Sequence, residues 1–430
     1  MLASMKKPPS TLSSVVLWSV ISAAFIGPGT LTTSVTAGSN YGLSLLWAVT
    51  FATFGCIALQ ELSARITIAS GLTFGESLLK KFGPRNGRLL QWIVGGSVVF
   101  GCAAYEAGNI LGAVAGLNLM TGISNAVLTI AVTLISGAVL LWRGKDLISN
   151  LMTILVVVMG IAFAALAFSQ EFTIIDLAVS TVTPVIPTGS EMVVLGLIGT
   201  TIVPYNIFIS AGISKGQTIP LMRVGLAISI AIGGAITAAI LIAGISIKEF
   251  SSFQEIAAAM SQQVGQWGAN ALALGLFAAG LSSAITSPYA ASLIATTVFG
   301  FSSQWKIRLA WMLVLLTGFA FGISGVRPIP VILAVQALNG LILPLITMYL
   351  IIIVNDVSIV PREVAHDSRY NIVLMVILLA VSLIGISNID KSVSASLDLQ
   401  EASHPLVVLI VTLLIMVYPS FVLYRKYRFL

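Results

Sequence analysis

Apolar runs of about 20 residues recur along the whole chain and limit what it can fold into. Inside a lipid bilayer every backbone N–H and C=O group must be bonded within the protein, so only helices and closed barrels span it. Runs of about 20 residues fit transmembrane helices, whereas barrel strands are shorter and alternate apolar with polar residues. Only 8% of the 430 residues are charged, against about 25% in soluble domains. The sequence therefore predicts an all-α integral membrane protein.

The apolar runs predict one transmembrane domain, residues 1–430, with twelve helices. The predicted spans are 12–38, 42–70, 89–115, 123–142, 147–168, 191–212, 224–246, 269–299, 308–323, 329–353, 371–388 and 404–424. With both termini in the cytoplasm, 17 of the 21 Lys and Arg residues fall on the inner side, in agreement with the positive-inside rule. We therefore expect a multi-pass protein of the cell (plasma or inner) membrane, with the lipid bilayer and not nucleic acid as its partner. The sequence does not indicate an oligomeric state.

Two of these spans are interrupted by Gly, Pro and polar residues at corresponding places. The first contains IGPGTLTTS at 26–34, and the sixth contains TTIVPYNIFIS at 200–210, so that Pro28 corresponds to Pro204. Irregular backbone at membrane depth is tolerated where it lines a cavity enclosed by protein. A matched pair of broken helices in two halves of a chain points to the central site of a secondary transporter. Two ordinary proline kinks are the alternative.

Few ionisable residues fall within the predicted spans, where they are costly and tend to be paired or functional. Glu61 and Arg65 are four residues apart on one helix, which predicts a structural ion pair, with a gating role as the alternative. Glu106 has no such neighbour, so it is the candidate for taking up and releasing a proton. The alternative for Glu106 is a neutral carboxyl bonded to another span. Cys56 and Cys102 lie within spans and are expected to pack as apolar residues, without a metal site or a cofactor.

These segments resemble the NRAMP family of metal-ion transporters nearly from end to end. Besides the two interruptions, the resemblance rests on the segments 41–47, 60–65, 275–280 and 282–286. It implies a LeuT-type fold of two inverted five-helix repeats, in which helices 1 and 6 are discontinuous, with alternating access and often proton coupling. The repeats would be 12–168 and 191–353, followed by two additional helices in 371–424.

The chain departs from the family pattern at the residues that bind metal. The family has Asp-Pro-Gly-Asn in helix 1, where this sequence has Gly-Pro-Gly-Thr at 27–30. The family has Met-Pro-His in helix 6, where this sequence has Val-Pro-Tyr at 203–205. A bare dication in a site of low dielectric constant needs compensating charge, and soft transition metals prefer sulfur or imidazole ligands. Transition-metal transport is therefore not expected.

Without the helix 1 aspartate, the half-helix that begins near Thr30 would direct free amides with partial positive charge into the cavity. Gly27 and Gly29 would let a ligand approach that backbone closely. We therefore expect a small carboxylate-bearing or zwitterionic solute, with Glu106 as the coupling proton site. The predicted substrate-binding residues are Gly27, Gly29, Thr30, Thr33, Val203, Tyr205 and Asn206. A proton-coupled carrier of manganese or magnesium is the first alternative, and a transport-inactive sensor on the same fold is the second.

Overall fold

The computed structural model describes residues 11–142, 145–245, 247, 252–396 and 404–428. Every long regular element in these ranges is an α-helix. The helices are α1 (Thr11–Phe25), α2 (Pro28–Tyr41), α3 (Leu46–Ser70), α4 (Phe74–Thr121), α5 (Asn125–Leu141), α6 (Lys145–Phe168), α7 (Ile174–Val182), α8 (Glu191–Thr201), α9 (Pro204–Ile213), α10 (Ile219–Gly244), α11 (Phe253–Val264), α12 (Gln266–Thr297), α13 (Gln304–Ile323), α14 (Pro328–Val354), α15 (Ser368–Ser396) and α16 (Pro405–Arg428). Eight helical stretches of the described residues are long and apolar enough to cross a membrane, and four shorter apolar helices accompany them.

Each predicted span coincides with one helix or with a pair of helices. The first span is α1 with α2, and the sixth is α8 with α9. The span prediction missed α7 and α11, which are short helices between spans. The third span forms part of α4, which starts at Phe74 and bends at Gly83, whose φ of 79° suits glycine. A capping box formed by Thr73 and Glu76 fixes the start of α4.

Close backbone contacts between α2, α4 and α12 hold the first helix break in place. A Cβ atom at position 112 of α4 would lie 2.2 Å from Pro28 Cγ. A Cβ atom on Gly280 of α12 would lie 2.3 Å from the amide nitrogen of Ala113 on α4. Small residues at such positions let helix backbones approach closely, as is common between membrane helices. The break after α1 therefore packs closely against α4, which in turn packs closely against α12.

Candidate substrate site at the helix breaks

Both interrupted spans are broken helices, and at each break an extended residue precedes the proline that begins the second half-helix. α1 ends at Phe25 and α2 begins at Pro28, while Gly27 between them is extended, with φ −109° and ψ −177°. α8 ends at Thr201, and α9 begins at Pro204 after an extended Val203. Proline suits the first position of a helix, where an N–H group would have no partner. The expected discontinuity of helices 1 and 6 is confirmed.

The carbonyl end of α1 is capped by side-chain hydroxyls from three other helices. The donors are Ser282 Oγ to the Ala23 carbonyl (3.1 Å), Tyr205 Oη to Ala24 (2.8 Å) and Thr30 Oγ1 to Phe25. The Phe25 carbonyl also accepts from the amide of Gly27 at 2.9 Å. In LeuT-type carriers the carbonyl oxygens at the end of a half-helix coordinate the cation. Each of these carbonyl oxygens of α1 already accepts at least one hydrogen bond from the protein.

The amide end of α2 presents donors instead. Gly29 and Thr30 lie in its first turn, where backbone N–H groups have no acceptor within the helix, and Gly27 provides no side-chain cap. The two residues line a cavity of about 10 Å³, enough for about one water molecule. A hydrogen bond of 2.7 Å joins the hydroxyls of Thr30 and Thr200 beside this cavity. The cavity is therefore nearly closed, and the backbone end that faces it carries partial positive charge.

The structure brings three of the predicted site residues to this cavity and leaves four away from it. Gly27, Gly29 and Thr30 line it. The other four are Thr33, Val203, Tyr205 and Asn206, none of which is among its described lining residues. Tyr205 and Asn206, which were expected to bind the solute, therefore lie outside the described lining of this cavity.

The surroundings of these four residues differ. Thr33 packs against Gly196 of α8, since a Cβ atom there would lie 2.7 Å from Thr33 Cγ2. The Tyr205 hydroxyl is held by the Ala24 carbonyl, and its ring lies edge-on to Tyr105. Asn206 is buried, and neither amide atom has a hydrogen-bond partner in the described part of the chain. Val203 is the N-cap residue of α9, and its side chain makes no capping hydrogen bond.

Four polar residues that the prediction did not include also line the site, namely Ser283 on α12, Asn109 and Tyr105 on α4, and Thr200 on α8. A Cβ atom on Gly27 would lie 2.9 Å from Ser283 Oγ and 3.6 Å from Asn109 Oδ1. Ser283 Oγ is buried and has no partner among the described atoms. Ser283 belongs to segment 282–286, whose resemblance to the family was the one signal that could have identified it.

Asn109 links the cavity to Glu106. The Asn109 side-chain amide donates to Glu106 Oε2 at 3.3 Å, and Glu106 is fully buried. Glu106 Oε1 has no hydrogen-bond partner within the described ranges. Gly318 of α13 packs against the stem of the Glu106 side chain, since a Cβ atom there would lie 2.7 Å from Glu106 Cγ. Glu106 therefore lies behind the cavity wall, one hydrogen bond away from the site.

A second polar cluster surrounds Glu61 near the end of α3. Glu61 Oε1 accepts from Arg65 Nη2 at 2.6 Å and from Arg223 Nε of α10 at 2.9 Å, and Oε2 contacts His366 Nε2 at 2.8 Å. Arg65 also donates to the carbonyl of Val364. The predicted pair of Glu61 and Arg65 is thus part of a network that joins α3, α10 and the connection before α15.

Charge balance in this network favours a neutral His366. Burial lowers the pKa of His366 below its ordinary value, and although Glu61 opposes this shift, the guanidinium groups of Arg65 and Arg223 add to it. A protonated His366 would place three cations around one carboxylate. The neutral ring instead donates to Glu61 and stacks on Tyr370, with 4.0 Å between ring centroids.

No group of three or more His, Cys, Asp or Glu side chains that could hold a metal ion occurs in the described ranges. A family model described as natural resistance-associated macrophage protein-like (Nramp) matches residues 19–389. The chain belongs to the Nramp family. It is accordingly a multi-span membrane transporter protein and not an enzyme, as the sequence predicted.

Curated relatives are similar to this chain over most of its length, and a solved structure shares its fold. The divalent metal cation transporter MntH of Pectobacterium carotovorum is 26% identical over 335 residues, covering 74% of this chain and 79% of that protein. MntH of Erwinia tasmaniensis is 22% identical over 384 residues, covering 85% and 91%. The crystal structure of a mutant manganese transporter from Eremococcus coleocola has a TM-score of 0.78 at 17% identity and covers 98% of this chain and 97% of that one. The predicted LeuT-type helical fold is confirmed.

Proposed function

We propose that this Nramp-family protein is a secondary active transporter of the cell membrane that works by alternating access on a small carboxylate-bearing or zwitterionic solute. The observation that carries this proposal is the polarity of the first helix break. Its carbonyl side is capped by hydroxyl donors, and its amide side, at Gly29 and Thr30, faces the cavity. A half-helix with its N-terminus at the midplane is the arrangement that holds the carboxylate of a substrate in LeuT-type carriers.

Divalent cation transport is the second candidate, and the relatives favour it. Those described above are named as divalent metal cation and manganese transporters, and these names support a cation substrate better than an organic solute. The site itself offers little to a dication, because no charged side chain is among the described residues that line the central cavity. Neutral ligands alone do not offset the desolvation of a bare dication.

Uptake into liposomes that contain the purified protein separates these two candidates. The test solutes are glycine, L-alanine, acetate and lactate, alongside Mn²⁺ and Mg²⁺. We expect saturable uptake of at least one organic solute, and the same solute should raise the melting temperature because it binds the folded state. Mn²⁺ and Mg²⁺ should neither move nor stabilise the protein. Saturable uptake of Mn²⁺ or Mg²⁺ without uptake of any organic solute would establish the cation candidate instead.

Proton coupling through Glu106 gives a further prediction. Glu106→Gln keeps the size of the side chain and can still accept from Asn109, but it cannot exchange a proton with the cavity. We expect uptake driven by a pH gradient to fall to background, while solute exchange at equal pH on both sides continues. The matched control is Glu171→Gln, which removes an exposed carboxylate between α6 and α7. Full pH-driven uptake in the Glu106 variant would exclude this residue as the coupling site.

A further inference from the structure

A cavity of about 490 Å³ lies beside the C-terminal part of α4, away from the site described above. We call it the vestibule. Its walls come from α4, the start of α5, the start of α11 and the connection from α13 to α14. The charge bias of the sequence predicts that this end of the helices faces outward.

The described lining of the vestibule includes one positive charge. Arg327 is the one charged residue among its described lining residues, and no described acidic side chain forms an ion pair with it. Arg327 also precedes α14, and the first residues of α5 and α14, Asn125 and Pro328, line the same space. Helix N-termini add partial positive charge. Glu255 in the first turn of α11 does not line the vestibule but offsets that helix end in part.

Only about one helical turn separates the vestibule from the central cavity. On α4, Leu111 lines the vestibule and Gly108 lines the central cavity. On α14, Ile329 lines the vestibule and Ile332 the central cavity. Residues three apart on a helix occupy neighbouring turns of the same face. The two cavities therefore lie on one route, divided by a thin and mostly apolar wall.

We infer that the vestibule is an outer capture site, in which Arg327 binds the carboxylate of a solute before it passes to the helix break and repels divalent cations. A guanidinium group suits this role because it stays charged and donates in a fork that matches a carboxylate. The identity of the solute rests on the proposed function, whereas the positive potential of the vestibule does not. The two parts are therefore tested separately.

The potential can be measured without knowledge of the substrate. A cysteine introduced by Ala126→Cys at the exposed start of α5 would line the vestibule, and both native cysteines are buried. Its reaction rates with a sulfonate-bearing and with an ammonium-bearing methanethiosulfonate report the local potential. We expect Arg327→Gln to lower the ratio of the sulfonate rate to the ammonium rate about tenfold at low salt, because one unit charge a few ångströms away changes the two rates in opposite directions. An unchanged ratio would overturn the inference.

Two controls separate local from general charge effects. Arg308→Gln removes one exposed positive charge at the opposite end of α13 and should leave the ratio at Ala126→Cys unchanged. Thr188→Cys places the reporter in the exposed connection before α8, outside the vestibule lining, where Arg327→Gln should have no effect. If Arg327→Gln lowers the rate ratio equally at both reporters, a local capture site is contradicted. The same holds if Arg308→Gln and Arg327→Gln lower the ratio equally at Ala126→Cys.

The capture role is tested by uptake of the solute that the liposome panel identifies. Arg327→Gln should raise KM for that solute about tenfold and leave kcat unchanged, because the residue acts before the central site, and Arg327→Lys, which keeps the charge but not the fork, should restore only part of the loss. An unchanged KM would overturn the capture role. If no organic solute is taken up, the proposed function fails and the capture role with it, while the reagent rates still report whether the vestibule is positive.

Discussion

Gly27→Asp should weaken binding of a carboxylate-bearing solute at the first helix break by at least about tenfold. A side chain at position 27 would point toward Ser283 Oγ and Asn109 Oδ1, since its Cβ would lie 2.9 and 3.6 Å from these atoms. The new carboxylate would therefore stand beside the free amides of α2. Two like charges about 5 Å apart repel by about 3 kcal/mol at an effective dielectric constant of about 20. A repulsion of this size would raise Kd by about a hundredfold.

Gly27→Asn is the matched control, because it adds the same volume without the charge. Both variants must displace Ser283, so the steric cost is shared and the difference between them isolates the electrostatic part. The measurement is solute affinity from thermal shifts in detergent at pH 7.5, together with uptake into liposomes. Equal losses of solute affinity in the two variants would mean that the break excludes any larger side chain at position 27 and does not bind an anion.

Glu61→Gln should lower the free energy of unfolding by about 3–5 kcal/mol, the usual cost of removing one partner from a buried ion pair. Arg65 is only 3% exposed and would lose its carboxylate, whereas the side chain of Arg223 is about half exposed and should add little. The network that joins α3, α10 and the connection before α15 would open. Unfolding of the purified protein in detergent, followed by denaturant or temperature, measures the loss.

The control for this prediction is Glu363→Gln in the same connection, where the carboxylate is exposed. Exposed substitutions usually change stability by less than about 0.5 kcal/mol. The double variant Glu61→Gln/Arg65→Gln should recover part of the loss, because it also removes the unpaired buried cation. If the double variant is no more stable than Glu61→Gln alone, the unpaired charge of Arg65 is not the cause.

Local sequence patterns predicted the fold because membrane helices and their breaks are local features. Apolar length identified the twelve spans, and proline with glycine identified both breaks. The same reasoning placed Glu61 beside Arg65, four residues away, but it could not add Arg223 or His366, which are 162 and 305 residues distant. These contacts arise from tertiary packing and leave no periodic signal in a single sequence.

The site was predicted only in part for a similar reason. Residues at the break of the first span reach the central cavity because the backbone itself lines it. Tyr205 was expected to bind the solute since it follows the second break directly. Its hydroxyl finds a closer acceptor in the Ala24 carbonyl, and this contact depends on how α9 crosses α1. Spacing along the chain contains no information on that crossing.

The hydroxyls that cap the end of α1 have a consequence for how specificity can change in this family. They come from α2, α9 and α12, so the discrimination against cations that the proposed function implies would be distributed over three separate helices. Returning the family's aspartate and asparagine to positions 27 and 30 would remove only the Thr30 hydroxyl. Ser282 and Tyr205 would still compete for the neighbouring carbonyls. Conversion of a carboxylate-binding site into a cation-binding site would therefore require coordinated substitutions on several helices. Proteins with a single substitution should transport neither kind of substrate well.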